Sequence, residues 1–188
     1  RFRCCQDTTY LLGNCDCDCV TTLLHEGDAC TSNAVLQLRG DAIIDASGGG
    51  PLVLTANITH GGSCERTLTL AGSSSHDNTL SGSIGDGPGT GVDKDGIGLW
   101  RLSAASGYSG RLRVIGGTLV IAANVPSSGA SPFGTATNVA DPPQVGGDGL
   151  ALLLAEGGVT ISRGFAVVAG TGVVVLGMTG PSGTATFG

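Results

Sequence analysis

Between its short apolar runs this chain turns on single glycines or Gly-Gly pairs, as in Ile115-Gly-Gly-Thr118 and Glu156-Gly-Gly-Val159. Hairpins are normally announced by Asn-Gly or Asp-Gly between alternating runs. A bare glycine corner bends a chain without reversing it, which suits a coil winding about an axis. The runs between the corners are strand-like: Ala34 to Leu38, Ala42 to Ile44, Leu52 to Ala56, Thr67 to Leu70, Thr79 to Ile84, Gly98 to Ser103, Arg111 to Ile115 and Thr118 to Ala122. After a Pro-rich loop come Leu150 to Leu154, Val159 to Ser162, Phe165 to Ala169, Val173 to Leu176 and Thr184 to Phe187. In Thr67-Leu68-Thr69-Leu70 the two Leu face one way and the two Thr the other. No segment holds a helical period; the closest, Leu150 to Glu156, is short and bounded by Gly. The reading is all-β, a parallel β-helix or β-solenoid, with roughly eight rungs of about 20 to 25 residues.

Composition agrees. Of 188 residues 34 are Gly, charged residues are 13% and aromatics 4%, so helix-forming surface residues are scarce. A hydrophobic fraction of 40% argues against disorder, and Gly does not recur every third residue as in collagen. A net charge of -6 with one Lys, Lys94, makes nucleic acid and anionic membrane poor partners. The best apolar run, Phe165 to Gly177, is too short for a membrane span. A chain opening on Arg1 reads as a processed or excised form.

The cysteines are all early: Cys4, Cys5, Cys15, Cys17, Cys19, Cys30 and Cys64. The expected division is a Cys-rich segment, 1–32, serving as a cap or an intersubunit clasp, and a solenoid domain, 33–188. Disulfides place the chain outside the cell or on its surface, and Asn57-Ile58-Thr59 supplies an acceptor pattern for N-glycosylation. An odd count leaves one thiol free or pairing between chains. In a strand, Cys15-Asp16-Cys17-Asp18-Cys19 would put three thiols on one face, which suits zinc or copper(I) as well as disulfides. The spacing is not that of structural zinc sites, so disulfides are the preferred reading and no metal is expected.

Thr67 onward carries a recognisable series: Leu68-Thr-Leu-Ala-Gly, Leu80-Ser-Gly-Ser-Ile, Asp93-Lys-Asp-Gly-Ile-Gly-Leu-Trp-Arg-Leu-Ser, Tyr108-Ser-Gly, Gly116-Gly-Thr-Leu-Val-Ile-Ala-Ala-Asn124 and Ser131-Pro-Phe-Gly134. Residues 67–188 resemble the autotransporter-associated β-strand repeat of bacterial surface and secreted proteins. The resemblance implies a right-handed parallel β-helix on the cell surface or in an extracellular assembly. It does not reach the Cys-rich start, and it includes no membrane barrel of the kind a whole autotransporter carries.

Enzyme signatures are sparse. No Ser stands in a nucleophile elbow, His25-Glu26 is not followed by a second His, and Lys94 closes no phosphate loop. Asp86, Asp93 and Asp95 lie among glycines but lack a calcium-loop spacing, and a plain turn with solvated carboxylates is the expectation. Paired carboxylates for glycan cleavage would need Asp or Glu on neighbouring strands, where only Asp45 stands out. His25, His60 and His76 read as surface or turn residues. Trp100 and Tyr108 read either as core or as a sugar-stacking platform. No catalytic residue and no cofactor are expected.

The run from Val173 to Gly188 holds no charge and ends on the strand-like Thr184-Ala185-Thr186-Phe187. An open strand edge is a template for another chain. The expected function is structural: a protomer of an extracellular filament, adding copies of itself head-to-tail. A monomeric adhesin or glycan-binding passenger segment is the alternative, which would make glycans a ligand; a polysaccharide-active enzyme is a third reading.

Overall fold

The computed structural model describes residues 9–13, 20–136, 142–180 and 184–187. They form nineteen short strands and no helix. In chain order the first are β1 (Thr9–Leu12), β2 (Val20–His25), β3 (Cys30–Ser32), β4 (Val35–Leu38), β5 (Asp41–Ala46) and β6 (Leu52–Leu54). Next come β7 (Ile58–His60), β8 (Arg66–Ala71), β9 (Asn78–Leu80), β10 (Thr90–Lys94), β11 (Leu99–Leu102), β12 (Leu112–Val114) and β13 (Gly117–Ile121). The last are β14 (Gln144–Val145), β15 (Leu150–Glu156), β16 (Thr160–Ile161), β17 (Ala166–Val167), β18 (Val173–Thr179) and β19 (Thr186–Phe187).

Two seven-stranded sheets run the length of the molecule, ordered β2-β5-β8-β10-β12-β14-β17 and β3-β6-β9-β11-β13-β15-β18. Every paired strand is parallel to its neighbour. The chain visits the first sheet, then the second, then a third and more broken face, before moving up one rung. The third face holds β1-β4-β7, extended by an Ile58–Ile84 bridge, and later β16-β19 with a Val125–Ile161 bridge. The fold is therefore a parallel β-solenoid of seven turns, one fewer than the sequence suggests. At about 4.8 Å between rungs the stack is about 30 Å tall.

The missing eighth turn has a definite cause. Earlier turns advance by 20 residues where Val92 pairs with Leu112 and by 26 where Ala42 pairs with Leu68, but Arg113 pairs with Gln144 and Gly117 with Ala151. The described part of the extra stretch, residues 122–136 and 142–143, runs along the third face and buries Val125, Ser131 and Phe133. It folds back through an antiparallel Ser106–Ser131 bridge, and Arg163 holds it by donating to the carbonyls of Gly134 (2.8 Å) and Gly129 (2.6 Å).

Alternate residues point inward and stack rung upon rung. In the first sheet the inward column runs Leu23, Ile44, Leu70, Lys94, Val114, Val145, Val167. In the second, one column runs Ser32, Leu54, Leu80, Leu102, Ile121, Ala155, Met178. A neighbouring column runs Asn78, Trp100, Leu119, Leu153, Leu176. Apart from Ser32, Asn78 and Lys94, the stacked side chains are apolar and form one core along the axis, buried except at the last turn.

The corners are closed by side chains that reach to an adjacent rung. Asp41 Oδ1 accepts the Thr67 N–H (2.8 Å), Asn57 Oδ1 that of Ser83 (2.9 Å) and Asn124 Oδ1 that of Thr160 (2.9 Å). Asn78 is wholly buried; its Oδ1 accepts from Leu52 N–H (2.9 Å) while its amide donates to the Leu99 carbonyl (2.9 Å). Each such contact pairs a backbone group that a bare corner would leave unmade. Glycine is required where rungs touch: at Gly82 a Cβ would lie 1.9 Å from the Ala56 carbonyl oxygen.

Candidate assembly surface

The last turn differs from those below it. β17 and β18 are the outermost strands of their sheets, and no described strand pairs with the free edge of either, or of β19. Seven residues of β18, Val173 to Thr179, pair on one side with β15, so the other side presents a long run of backbone donors and acceptors. The inward columns also end here uncovered. Val167 is 60% exposed, Leu176 42% and Met178 36%, although each stands directly above a buried residue, Val145, Leu153 and Ala155. On the third face Phe165 and Phe187 meet edge to face, ring centres 6.3 Å apart, and both are only partly buried. The described part of the last turn thus offers an apolar floor framed by unpaired strand edges, and residues 164–188 include no charged side chain.

Thr184, Ala185, Thr186 and Phe187 lie at this end; Thr186 and Phe187 form β19, paired with Thr160 and Ile161 below. Cys30 and Cys64 are disulfide-bonded, whereas Cys4, Cys5, Cys15, Cys17 and Cys19 lie outside the described residues. Residues 9–12 and 20–32 supply β1, β2 and β3, which pair with β4, β5 and β6 as the first turn. Asn57 is an exposed corner residue whose Oδ1 is engaged as described above.

Leu150 to Glu156 is a strand, β15, with Ala151, Leu153 and Ala155 inward, in line with the strand read there from the sequence. Other local expectations are corrected or resolved. Trp100 and Tyr108 form no platform: both are wholly buried, and their polar atoms donate to carbonyls, Nε1 to Ala71 (2.8 Å) and the hydroxyl to Pro132 (2.8 Å). Burial raises the Tyr108 phenol well above its ordinary range. Asp86 to Gly98 is not a plain turn, since it contains β10. Asp86 caps the Thr90 N–H (3.1 Å), and bonds from the Ser109 hydroxyl and from backbone N–H groups hold its carboxyl below the usual range against the opposing effect of burial. Asp93 sits on the outer face of β10 and is bound bidentately by Arg113. His25 is buried, with Nε2 at 2.9 Å from the Asp28 carbonyl; His60 is half-buried and bonded to Thr90; His76 is exposed. Among the described residues no group of three His, Cys, Asp or Glu could hold a metal ion.

Two residues that hold the solenoid together were not assigned that part from the sequence. Lys94, the single lysine, points into the core between Leu70 and Val114 and is fully buried. Its Nζ donates to the carbonyls of Asp95 (2.7 Å), Gly96 (3.0 Å) and Gly116 (3.0 Å), tying two turns together. Burial outweighs the favourable charge of Asp95 and pushes its pKa down to about 8. Arg101 lies on the outer face of the second sheet. It donates to Asp77 (2.8 Å) on one side and reaches Glu156 (2.9 Å) on the other, crossing the outward-facing Val120 and leaving it buried.

No helix among the described residues is long and apolar enough to cross a membrane. No protein family, curated protein or solved structure matches the chain.

Proposed function

We propose that the chain is a structural protomer of an extracellular filament or surface fibre, built by stacking one solenoid on the next. The observation that carries this reading is the last turn, where Val167, Leu176 and Met178 hold inward positions with no described rung over them and β18 has an unpaired edge. A second copy placed there would continue both the strand ladders and the inward columns. The contact is heterologous, end against opposite end, and so propagates instead of closing. In this reading the cysteine-rich start, with Cys4, Cys5, Cys15, Cys17 and Cys19, locks onto the preceding subunit by strand addition and an interchain disulfide. The bonded state of Cys30 and Cys64 is in keeping with an oxidising, extracellular setting.

The finer features of the fold belong to the same proposal. The coil is right-handed, as parallel strands joined by a crossover within one sheet almost always are. The chain is a member of the autotransporter-associated repeat group, on the motifs between Leu68 and Gly134. Sedimentation velocity across a concentration series tests assembly. The native chain should form species that grow with concentration, and Leu176→Lys, which puts a charge on the exposed floor, should remain a single short rod. A native chain that stays monomeric at every concentration would overturn the proposal.

A further inference from the structure

The outer face of the first sheet carries a trough of about 590 Å³ lined by polar and charged residues and glycines. Its floor lacks side chains at Gly91 of β10, and at Gly89 and Gly110 beside it. It crosses four turns, from Asp41 on β5 through Thr67 on β8 to Arg113 on β12, a span of about 14 Å at the spacing of parallel rungs. Three of the chain's eight arginines, Arg66, Arg111 and Arg113, line it, although the chain as a whole is acidic. Asp41, Glu65 and Asp93 line it as well, so guanidinium and carboxylate groups stand side by side in equal number.

The carboxylates in the trough are unequal. Asp93 is 9% exposed, and both its oxygens are taken by Arg113. Asp41 gives one oxygen to the Thr67 N–H and Glu65 stands at the rim. Arg113 uses its Nε and Nη2 on Asp93, and its side chain remains 43% exposed with further N–H groups to offer. Gln144 holds Arg111 from the next turn through its Oε1 (3.2 Å), so the forks are fixed before any ligand arrives. Planar donors held in place suit a carboxylate, while Asp41, Glu65 and Thr67 suit hydroxyl groups. A ligand offering both chemistries along its length is an acidic sugar chain.

We propose that this trough binds a uronic-acid-containing oligosaccharide, with Arg111 and Arg113 taking sugar carboxylates and Asp41 and Glu65 taking hydroxyls. The trough is on the flank of the solenoid, away from the exposed end, so binding does not depend on assembly. The test is calorimetric titration with a short oligogalacturonate, its fully methyl-esterified form and a neutral malto-oligosaccharide. The acidic oligomer should bind, weaken as salt is raised, and bind at least about tenfold better than either neutral probe. Thr67→Glu adds a carboxylate beside the guanidinium groups without touching the Asp93–Arg113 pair. It should cost about tenfold in affinity while leaving the melting temperature unchanged. The assembly variant Leu176→Lys should bind as the native chain does, which separates failure of this site from failure of the filament reading. Equal binding of acidic and neutral probes, indifference to Thr67→Glu, or no binding at millimolar concentration would each overturn the proposal.

Discussion

The middle turns and the last turn of this solenoid are built from the same kinds of residue, yet their surroundings are opposite. Leu70, Trp100 and Leu119 have a rung above and a rung below, and each is wholly buried. Val167, Leu176 and Met178 occupy equivalent inward positions with a rung on one side alone, and each is more than a third exposed. An inward residue in a parallel solenoid is therefore buried by its neighbours in the stack, not by its own turn. The middle has a further requirement that the end lacks: where the turns corner tightly, backbone groups must be paired from within, by Asn78 and Lys94.

That contrast can be broken most severely in the middle. Trp100→Ala should cost about 4 kcal/mol in denaturant unfolding, since it empties a large buried volume and removes the donor from the Ala71 carbonyl. Lys94→Met should cost about 2 kcal/mol. Three buried carbonyls lose their donor, at about 1–3 kcal/mol each, and relief from burying a charge offsets part of the loss. Lys94 also predicts an unusual pH response. Its pKa is about 8 in the folded chain, against 10.5 for an ordinary lysine, so between these values the unfolded chain holds the extra proton. Raising the pH through that window should stabilise the native chain relative to Lys94→Met, by an amount on the order of 3 kcal/mol. A native-minus-variant difference that falls or stays flat over that window would contradict the role given to Lys94.

Smaller effects sharpen the comparison. Arg101→Ala should cost about 1 kcal/mol, because both its carboxylate partners are solvent-exposed and the chief loss is the cover over Val120. At the open end Leu176→Lys should change unfolding by no more than about 0.5 kcal/mol, as a lysine there can reach water. If the end residue proved as costly as Trp100, the last turn would have to be covered by something in solution even in the isolated chain.

Much of the fold was legible because strict alternation survives in runs such as Thr67 to Leu70, where the inward residues are aliphatic. β10 was hidden for the converse reason: its Gly91-Val92-Asp93-Lys94 reads as a polar turn, and the inward position below Val114 is a lysine. Nothing local in the sequence tells a lysine solvated in a loop from one bonded to carbonyls two turns deep. The rung count was obscured by the long insertion after β13, since a period is visible in sequence where turn lengths are equal. Trp100 and Tyr108 were ambiguous because alternation gives a residue's face but not which partner its polar atom meets. The uncharged end from Val173 was visible as composition. That Leu176 and Met178 hold inward positions there required the register with Leu153 and Ala155. The arginine trough could not be read at all, because Arg66, Arg111 and Arg113 become neighbours through turns of unequal length.

The most direct test of the stacking account is negative-stain electron microscopy of the native material, with and without reductant. The account predicts long filaments of uniform width, shortened or lost under reductant as the interchain disulfide opens. Separate rods about 30 Å long in both conditions would contradict it.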